Sequence, residues 1–333
     1  MDIKSLLPHI ELALQKQVSR LDQPRTKLFH EMLTYHMGWT GEGSGPEATG
    51  KRIRPLLVLL TTAACGVEWQ PALPAAAAVE LVHNFSLVHD DIQDNSPKRR
   101  GRDTVWTKWG MPMAINVGDA LFVLSNQAIV DLKENYPAEI VVKAAEILHN
   151  TCLELTRGQY LDMSYEGRKD LSVEDYWPMI SGKTSALLLA CCQIGALLGG
   201  ADEEKQEAYR SFGHYLGLAF QVQDDILGIW GDEKVIGKSV ASDLIEGKNS
   251  LPVLAGLKKK GKFAERWAQG PIKPDEVEEL ARILASEDGY GYAKEASIQM
   301  TDMAINSLRE ADPQGEAGEA LFELANRLLN REQ

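Results

Sequence analysis

Residues 80–110 read ELVHNFSLVHDDIQDNSPKRRGRDTVWTKWG: an apolar helical run ends in three aspartates and, after a turn, in paired arginines. Asp90 and Asp94 stand four positions apart, so a helix projects both from one face about a turn apart, with Asp91 beside them. Like charges at that spacing repel, and Asp is a poor former in a helix interior, so a local rule is broken where a site would be expected. A divalent cation reverses the sign of that interaction. Carboxylates that each give one or two oxygens, with water and phosphate completing the shell, suit Mg²⁺ better than an all-protein cage for Ca²⁺. The alternative reading of this cluster by itself is a solvated acidic helix end.

Outward from that stretch, apolar residues recur at three- and four-residue spacing almost throughout, with no sustained period-two alternation flanked by turn signals. The fold class is therefore all-α. Helices are expected over about 6–36 (one or two), 54–65, 74–94, 114–134, 138–162, 173–198 and 203–230, then shorter ones to a last helix near 316–330. Long helices joined by short loops indicate a helical bundle, with ligand sites built from inward-facing side chains. No Ser/Pro-rich tether divides the chain, so residues 1–333 read as one domain.

A chain of 333 residues with 44% hydrophobic content has ample material for a core. Its net charge of −13 excludes nucleic acid as a partner, because neutralising phosphates needs a basic surface that the whole lacks. Cys65, Cys152, Cys191 and Cys192 show no CxxC or zinc spacing, and three of them lie in apolar runs that suit small buried hydrophobes. The amphipathic N-terminus shows no cleavage site, and no uninterrupted apolar run reaches about 18 residues. A soluble, cytoplasmic protein without a transmembrane segment is expected.

FQVQDDILGIWGDEKVIGK, residues 220–238, again carries adjacent aspartates, Asp224 and Asp225, at the end of an apolar helix, with Asp232 beyond a Trp-Gly turn. Acids at a C-terminal helix end oppose the macrodipole, which makes a merely solvated end awkward without a cation. In an antiparallel bundle two such helix ends would face one another and hold several Mg²⁺ ions around one substrate. The cations sit in loops: Lys51, Arg52 and Arg54 in GKRIRP, Arg99 and Arg100 in KRRGR, Lys183 in SGKTS, then Lys238 and Lys248. Each alone reads as a solvated charge. Together, in so acidic a chain, they read as phosphate ligands, Arg giving bidentate forks and Lys point charges.

With these residues in hand, the chain resembles the trans-isoprenyl diphosphate synthases, or polyprenyl synthetases, over nearly its whole length. GKRIRP is similar to the family's GKxxRP, and LVHNFSLVHDDIQD to its first Asp-rich motif. RRG resembles the arginine pair, GQYLD and KTSALL the middle signatures, and FQVQDDILG the second Asp-rich motif. The resemblance implies an all-α bundle around a deep central cavity, a homodimer, and 1'-4 condensation of an allylic diphosphate with isopentenyl diphosphate. By the same resemblance, Asp90, Asp94 and Asp224 ligate three Mg²⁺ ions, with Asp91 beside them and Asp225 acting through water or Lys238. Arg99, Lys183 and Lys248 contact the allylic diphosphate, Lys51, Arg54, His83 and Arg100 hold isopentenyl diphosphate, and Gln221 and Thr184 face the developing cation. On residue type alone, His83 on its apolar helix reads as a satisfied core histidine.

Two departures stand out. The usual DDxxD of the second motif has Gly228 at its fifth position, and RRGRDTVW places Asp103 and Trp106 where the family usually has Pro and His. A class I terpene cyclase would share the Asp-rich helices but would not need GKRIRP and the second arginine. A non-catalytic partner subunit is the other rival, which the Gly228 departure invites. For product length, Phe85 lies five positions before Asp90, about 7.5 Å along the axis, and its neighbour Ser86 is small. In similar synthases an aromatic at the fifth position only goes with a C20 product, geranylgeranyl diphosphate. Farnesyl diphosphate (C15) or a C25 product are the alternatives, since residues near Phe122 on a facing helix also shape the floor.

Overall fold

A computed structural model describes residues 1–231 and 242–329, and they are helical with one exception. Asp232 and Lys238 lie outside the described residues. By contacts the chain divides into two compact units. The first comprises Met1–His149, Cys191–Gln206 and Pro313–Leu321. The second comprises Asn150–Ala190, Glu207–Asp312 and the C-terminal residues from Phe322.

The helix Leu73–Gln93 organises the first unit. Pro74 suits its first turn, where a missing N–H costs nothing. Ala75, Ala76, Ala77 and Ala78 are all buried, and side chains this small let the helices Ile3–Val18, Ile53–Ala64 and Met111–Val130 close on it. The opening helix is capped by Asp2, whose carboxylate accepts the Lys4 main-chain N–H at 2.9 Å.

In the second unit the helix Glu203–Trp230 contributes Leu218, Val222 and Ile226 to a core shared with Val173, Tyr176, Ile180, Leu251 and Leu254. The stretch expected as one helix over 173–198 is three pieces: Val173–Ile180, a π-helical turn Ser181–Ser185, and Ala186–Leu198. Its apolar period continues across the turn, so the sequence pattern conceals the break. Pro178, inside the first piece, removes an N–H and loosens the ladder there.

The exception to the all-helical expectation is a two-residue antiparallel ladder, Lys98–Arg99 with Arg102–Asp103. Arg100 (φ 52°) and Gly101 (φ 75°) both lie in the left-handed region, as a two-residue hairpin turn that matches strand twist requires.

Among the described residues three helical stretches, Gln70–Gln93, Met111–Glu134 and Val173–Leu198, are by length and composition apolar enough to cross a membrane, although charges such as Glu80, Asp119 and Lys183 interrupt them. Their apolar windows are 61%, 44% and 72% buried within the protein, so most of that apolarity is spent on packing in the first and third. The cysteines are free thiols, Cys152, Cys191 and Cys192 buried and Cys65 partly exposed.

Candidate active site

In the first unit the aspartates sit where the Leu73–Gln93 helix ends. Asp90 is half-buried, Asp91 is buried, and Asp94 is the exposed C-cap, its N–H donating to the Asp90 carbonyl at 2.8 Å. Asp91 turns inward, and its Oδ1 accepts the Arg99 Nε–H at 2.8 Å. Burial pushes the Asp91 carboxyl up to about 6, against the pull of Arg99 and with help from Asp90 and Asp94. Asp91 therefore ties the arginine hairpin to the helix, while Asp90 and Asp94 are left toward the surface.

The same hairpin meets the short helix Pro46–Thr49 just before GKRIRP, Arg100 donating from Nη1 to the Ala48 carbonyl at 2.7 Å. His83 is driven far below the ordinary histidine range by burial and then by Arg54, Arg100, Arg99 and Arg52, so it is neutral at physiological pH. Arg54 Nε is buried without a hydrogen-bond partner, and Lys51 is exposed. Sequence-predicted Arg54, His83, Arg99 and Arg100 are thus brought into one electrostatic neighbourhood.

Arg52, read as a phosphate ligand, is corrected. It is buried and spent within the protein, Nε on Glu11 at 2.6 Å and Nη1 on Glu80 at 2.7 Å. A buried cation needs such partners, and with both carboxylates engaged it has little left for a ligand.

His36 was not anticipated. It lines a cavity with Asn84, Asp91, Arg99 and Arg100, its Nε2 is buried without a partner, and burial with Arg99 and Arg100 pushes its pKa down to about 3. No sequence motif marks it.

Phe85 projects from the same helix and meets the Phe122 ring of Met111–Val130 at 5.1 Å. Ser86 donates its hydroxyl back to the His83 carbonyl at 2.8 Å.

In the second unit Asp224 is half-buried, two turns before the helix ends at Trp230 rather than at its terminus. Asp225 is buried and fully engaged. Its Oδ2 accepts the Tyr176 hydroxyl at 2.8 Å and the Leu251 N–H at 3.0 Å, and its Oδ1 accepts Gln221 Nε2–H at 3.0 Å. Burial pushes this carboxyl up to about 6, against these three donors. The expected partner Lys238 lies outside the described residues; among those described, the Asp225 oxygens are held by Tyr176, Gln221 and the Leu251 main chain. Gln221 Oε1 in turn accepts the Thr184 hydroxyl at 2.7 Å, so Thr184 and Gln221, read as facing the cation, spend that hydroxyl proton and that carbonyl on each other.

Lys183 donates to Asp162 Oδ2, a pairing that joins the GQYLD and KTSALL signatures. The backbone explains it. A Cβ at Gly158 would lie 2.7 Å from Lys183 Cα, so only glycine lets the helix Ala138–Tyr165 meet the π-helical turn that presents the lysine. Lys248 is paired with Asp243 at 3.1 Å and Glu246 at 2.7 Å. Burial opposes its charge, yet Asp243 and Glu246 hold its ammonium above the ordinary lysine value.

Among the described residues no three His, Cys, Asp or Glu side chains are grouped to hold a metal by themselves. One or two carboxylates at a time suit Mg²⁺, which keeps waters and takes substrate phosphates as its other ligands. The donor set fits that ion.

A family model described as polyprenyl synthetase matches residues 45–284, a span that takes in every element of both site halves except the opening helices. The chain belongs to the polyprenyl synthetase family. It is a trans-prenyltransferase, an enzyme whose family joins isopentenyl and allylic diphosphates. A geranylgeranyl diphosphate synthase of Mycobacterium tuberculosis is 40% identical over 287 residues, 84% of this chain and 81% of that one. A (2E,6E)-farnesyl diphosphate synthase of Mycobacterium bovis is 34% identical, covering 98% of this chain and 93% of that one. The crystal structure of a polyprenyl synthetase from Streptomyces coelicolor superposes with a TM-score of 0.87 at 35% identity, over 98% of this chain and 99% of that one. This polyprenyl synthetase therefore shares the all-helical isoprenoid synthase fold.

Proposed function

We propose that this short-chain synthase elongates an allylic diphosphate with isopentenyl diphosphate to geranylgeranyl diphosphate, using Mg²⁺ held by Asp90, Asp94 and Asp224. The observation that carries the product length is the Phe85–Phe122 ring contact with the small Ser86 as the next residue, which we read as an aromatic stop to the growing chain. The 40% identity to a geranylgeranyl diphosphate synthase supports the same length, ahead of the 34% to a farnesyl diphosphate synthase.

In this reading residues 1–333 work as one catalytic domain, to which both aspartate motifs contribute. When bound, three Mg²⁺ ions neutralise the allylic diphosphate and make it a good leaving group. Lys183, Lys248 and Arg99 bind its oxygens, each already oriented by a carboxylate, Asp162, Asp243 and Asp91. Arg54, with an unspent Nε, Lys51 and Arg100 take the diphosphate of isopentenyl diphosphate, and neutral His83 lies against them without adding charge. Two substrates held in register supply most of the rate. The Thr184–Gln221–Asp225 chain keeps the helix that carries Asp224 in place beneath the developing cation. The carbocation left by the condensation loses a proton to the departing diphosphate, and that loss restores an alkene.

The chain acts as a homodimer in the cytoplasm. Met111, Ile115, Val123 and Val130 lie exposed along Met111–Val130, the least buried of the three long apolar stretches, as a subunit interface would require.

Product analysis after incubation of the purified chain with isopentenyl diphosphate and dimethylallyl, geranyl or farnesyl diphosphate tests this reading. A C20 diphosphate from all three primers is expected. Accumulation of C15 replaces it with farnesyl diphosphate synthesis. A hydrocarbon released without isopentenyl diphosphate would indicate a cyclase, and inactivity of the chain alone would indicate a partner subunit.

A further inference from the structure

Gly228 follows Asp224 by four positions, so the two share one helix face about a turn apart. A Cβ at position 228 would lie 2.6 Å from Asp243 Cγ and closer still to Asp243 Oδ2. The space in which an aspartate at the fifth motif position would begin is thus filled by the carboxylate of another aspartate. Asp243 is buried there, and its Oδ1 holds the Lys248 ammonium at 3.1 Å. The approach is fixed by the main chain too, since Lys248 N–H donates to the Asp243 carbonyl at 3.0 Å and closes a tight turn.

We propose that Asp243, lodged in the space left by Gly228, is a positioning residue that brings Lys248 to the second aspartate motif. The fifth position then contributes a held cation for diphosphate, where a side-chain carboxylate would contribute negative charge. Any side chain at 228 forces Asp243 to rotate, and a short side chain rotates easily, so the fold survives. The Asp243 contact to Lys248 is lost in that rotation, and the ammonium is left to Glu246, 2.7 Å away. Restoring the family's usual aspartate is therefore damaging here. The inference rests on the reading of Lys248 as a ligand of the allylic diphosphate.

The test compares Gly228→Asp, Asp243→Asn, Gly228→Asp/Asp243→Ser and Lys248→Ala. For each, the affinity for inorganic pyrophosphate with Mg²⁺ is measured by calorimetry, kcat and allylic KM are separated, and thermal melting is recorded. Gly228→Asp and Asp243→Asn are expected to weaken pyrophosphate about tenfold and to raise allylic KM more than they lower kcat, with melting little changed. The double variant, which returns a carboxylate to the same place from the other side, is expected to recover most of that affinity. If Gly228→Asp binds pyrophosphate as well as the parent, the inference is overturned, and Asp243→Asn decides in the same way should Gly228→Asp fail to fold. If Lys248→Ala alone weakens binding, Lys248 is a ligand and only its positioning by Asp243 is lost. If Lys248→Ala has no effect, the ligand reading fails and takes the inference with it.

Discussion

The rings of Phe85 and Phe122 meet at 5.1 Å between two neighbouring helices, while Ser86, one residue along, turns its hydroxyl into its own helix. The proposed stop is therefore made by a pair, and either member supports the other. Phe85→Ala is expected to lengthen the main product beyond C20, and Phe122→Ala to do the same to a smaller degree. Ser86→Phe fills the open side and shortens the product. Chromatography of the dephosphorylated alcohols reads all three, and unchanged length in a soluble, active Phe85→Ala enzyme would place the floor elsewhere.

Asp90 and Asp224 are half-buried carboxylates on separate helix faces, neither within a group that could hold an ion alone. In the proposed mechanism each ion is shared with the substrate, and losing one carboxylate loses charge stabilisation in the transition state. Asp90→Ala or Asp224→Ala should cut kcat by about 10³, near 4 kcal/mol, and EDTA should abolish activity reversibly. Steady-state rates across a Mg²⁺ titration check this, and full activity of either variant sinks the assignment.

Arg54 has a buried Nε with no partner, whereas Arg52 beside it is consumed by Glu11 and Glu80. Arg54→Ala is expected to raise KM for isopentenyl diphosphate about tenfold with little change in allylic KM, since a charge-assisted contact to one substrate is lost. Arg52→Ala should instead lower the melting temperature, because it leaves two carboxylates without their cation. A larger allylic effect at Arg54 would exchange the two sites.

Burial with Arg99 and Arg100 lowers the His36 pKa from 6.5 to about 3, so the folded chain keeps this imidazole neutral while the unfolded chain protonates it. The unfolded state then binds more protons across the window from 6.5 down to about 3, and stability falls as pH falls through it. His36→Gln removes that proton uptake. The variant should lose less stability than the parent between pH 7.5 and pH 5, as read from urea midpoints at both. Parallel losses would mean that His36 titrates normally.

The helical periods, the order of the aspartate and arginine motifs, and Phe85 with its partner near Phe122 were legible in the sequence because each depends on spacing within a helix. What escaped depends on distant partners or on backbone geometry. Arg52 looks like its neighbours until Glu11 and Glu80, 41 and 28 positions away, are seen to close on it. The hairpin at Arg100 was hidden because a left-handed arginine breaks the usual preference for Gly or Asn at such a turn. The donors that hold Asp225 were not legible, because they come from Tyr176 and the Leu251 main chain, neither of which any motif predicts.

Gly158 and Gly182 bring two backbones into contact at the base of Lys183, where even one added carbon has no room. Phe85 and Phe122, by contrast, meet through side chains alone. Product length and diphosphate handling are in this sense separate modules, one written in exchangeable groups and the other in the path of the chain itself. A laboratory selection for longer or shorter prenyl chains would range freely over positions 85, 86 and 122, and its survivors would all keep glycine at 158 and 182.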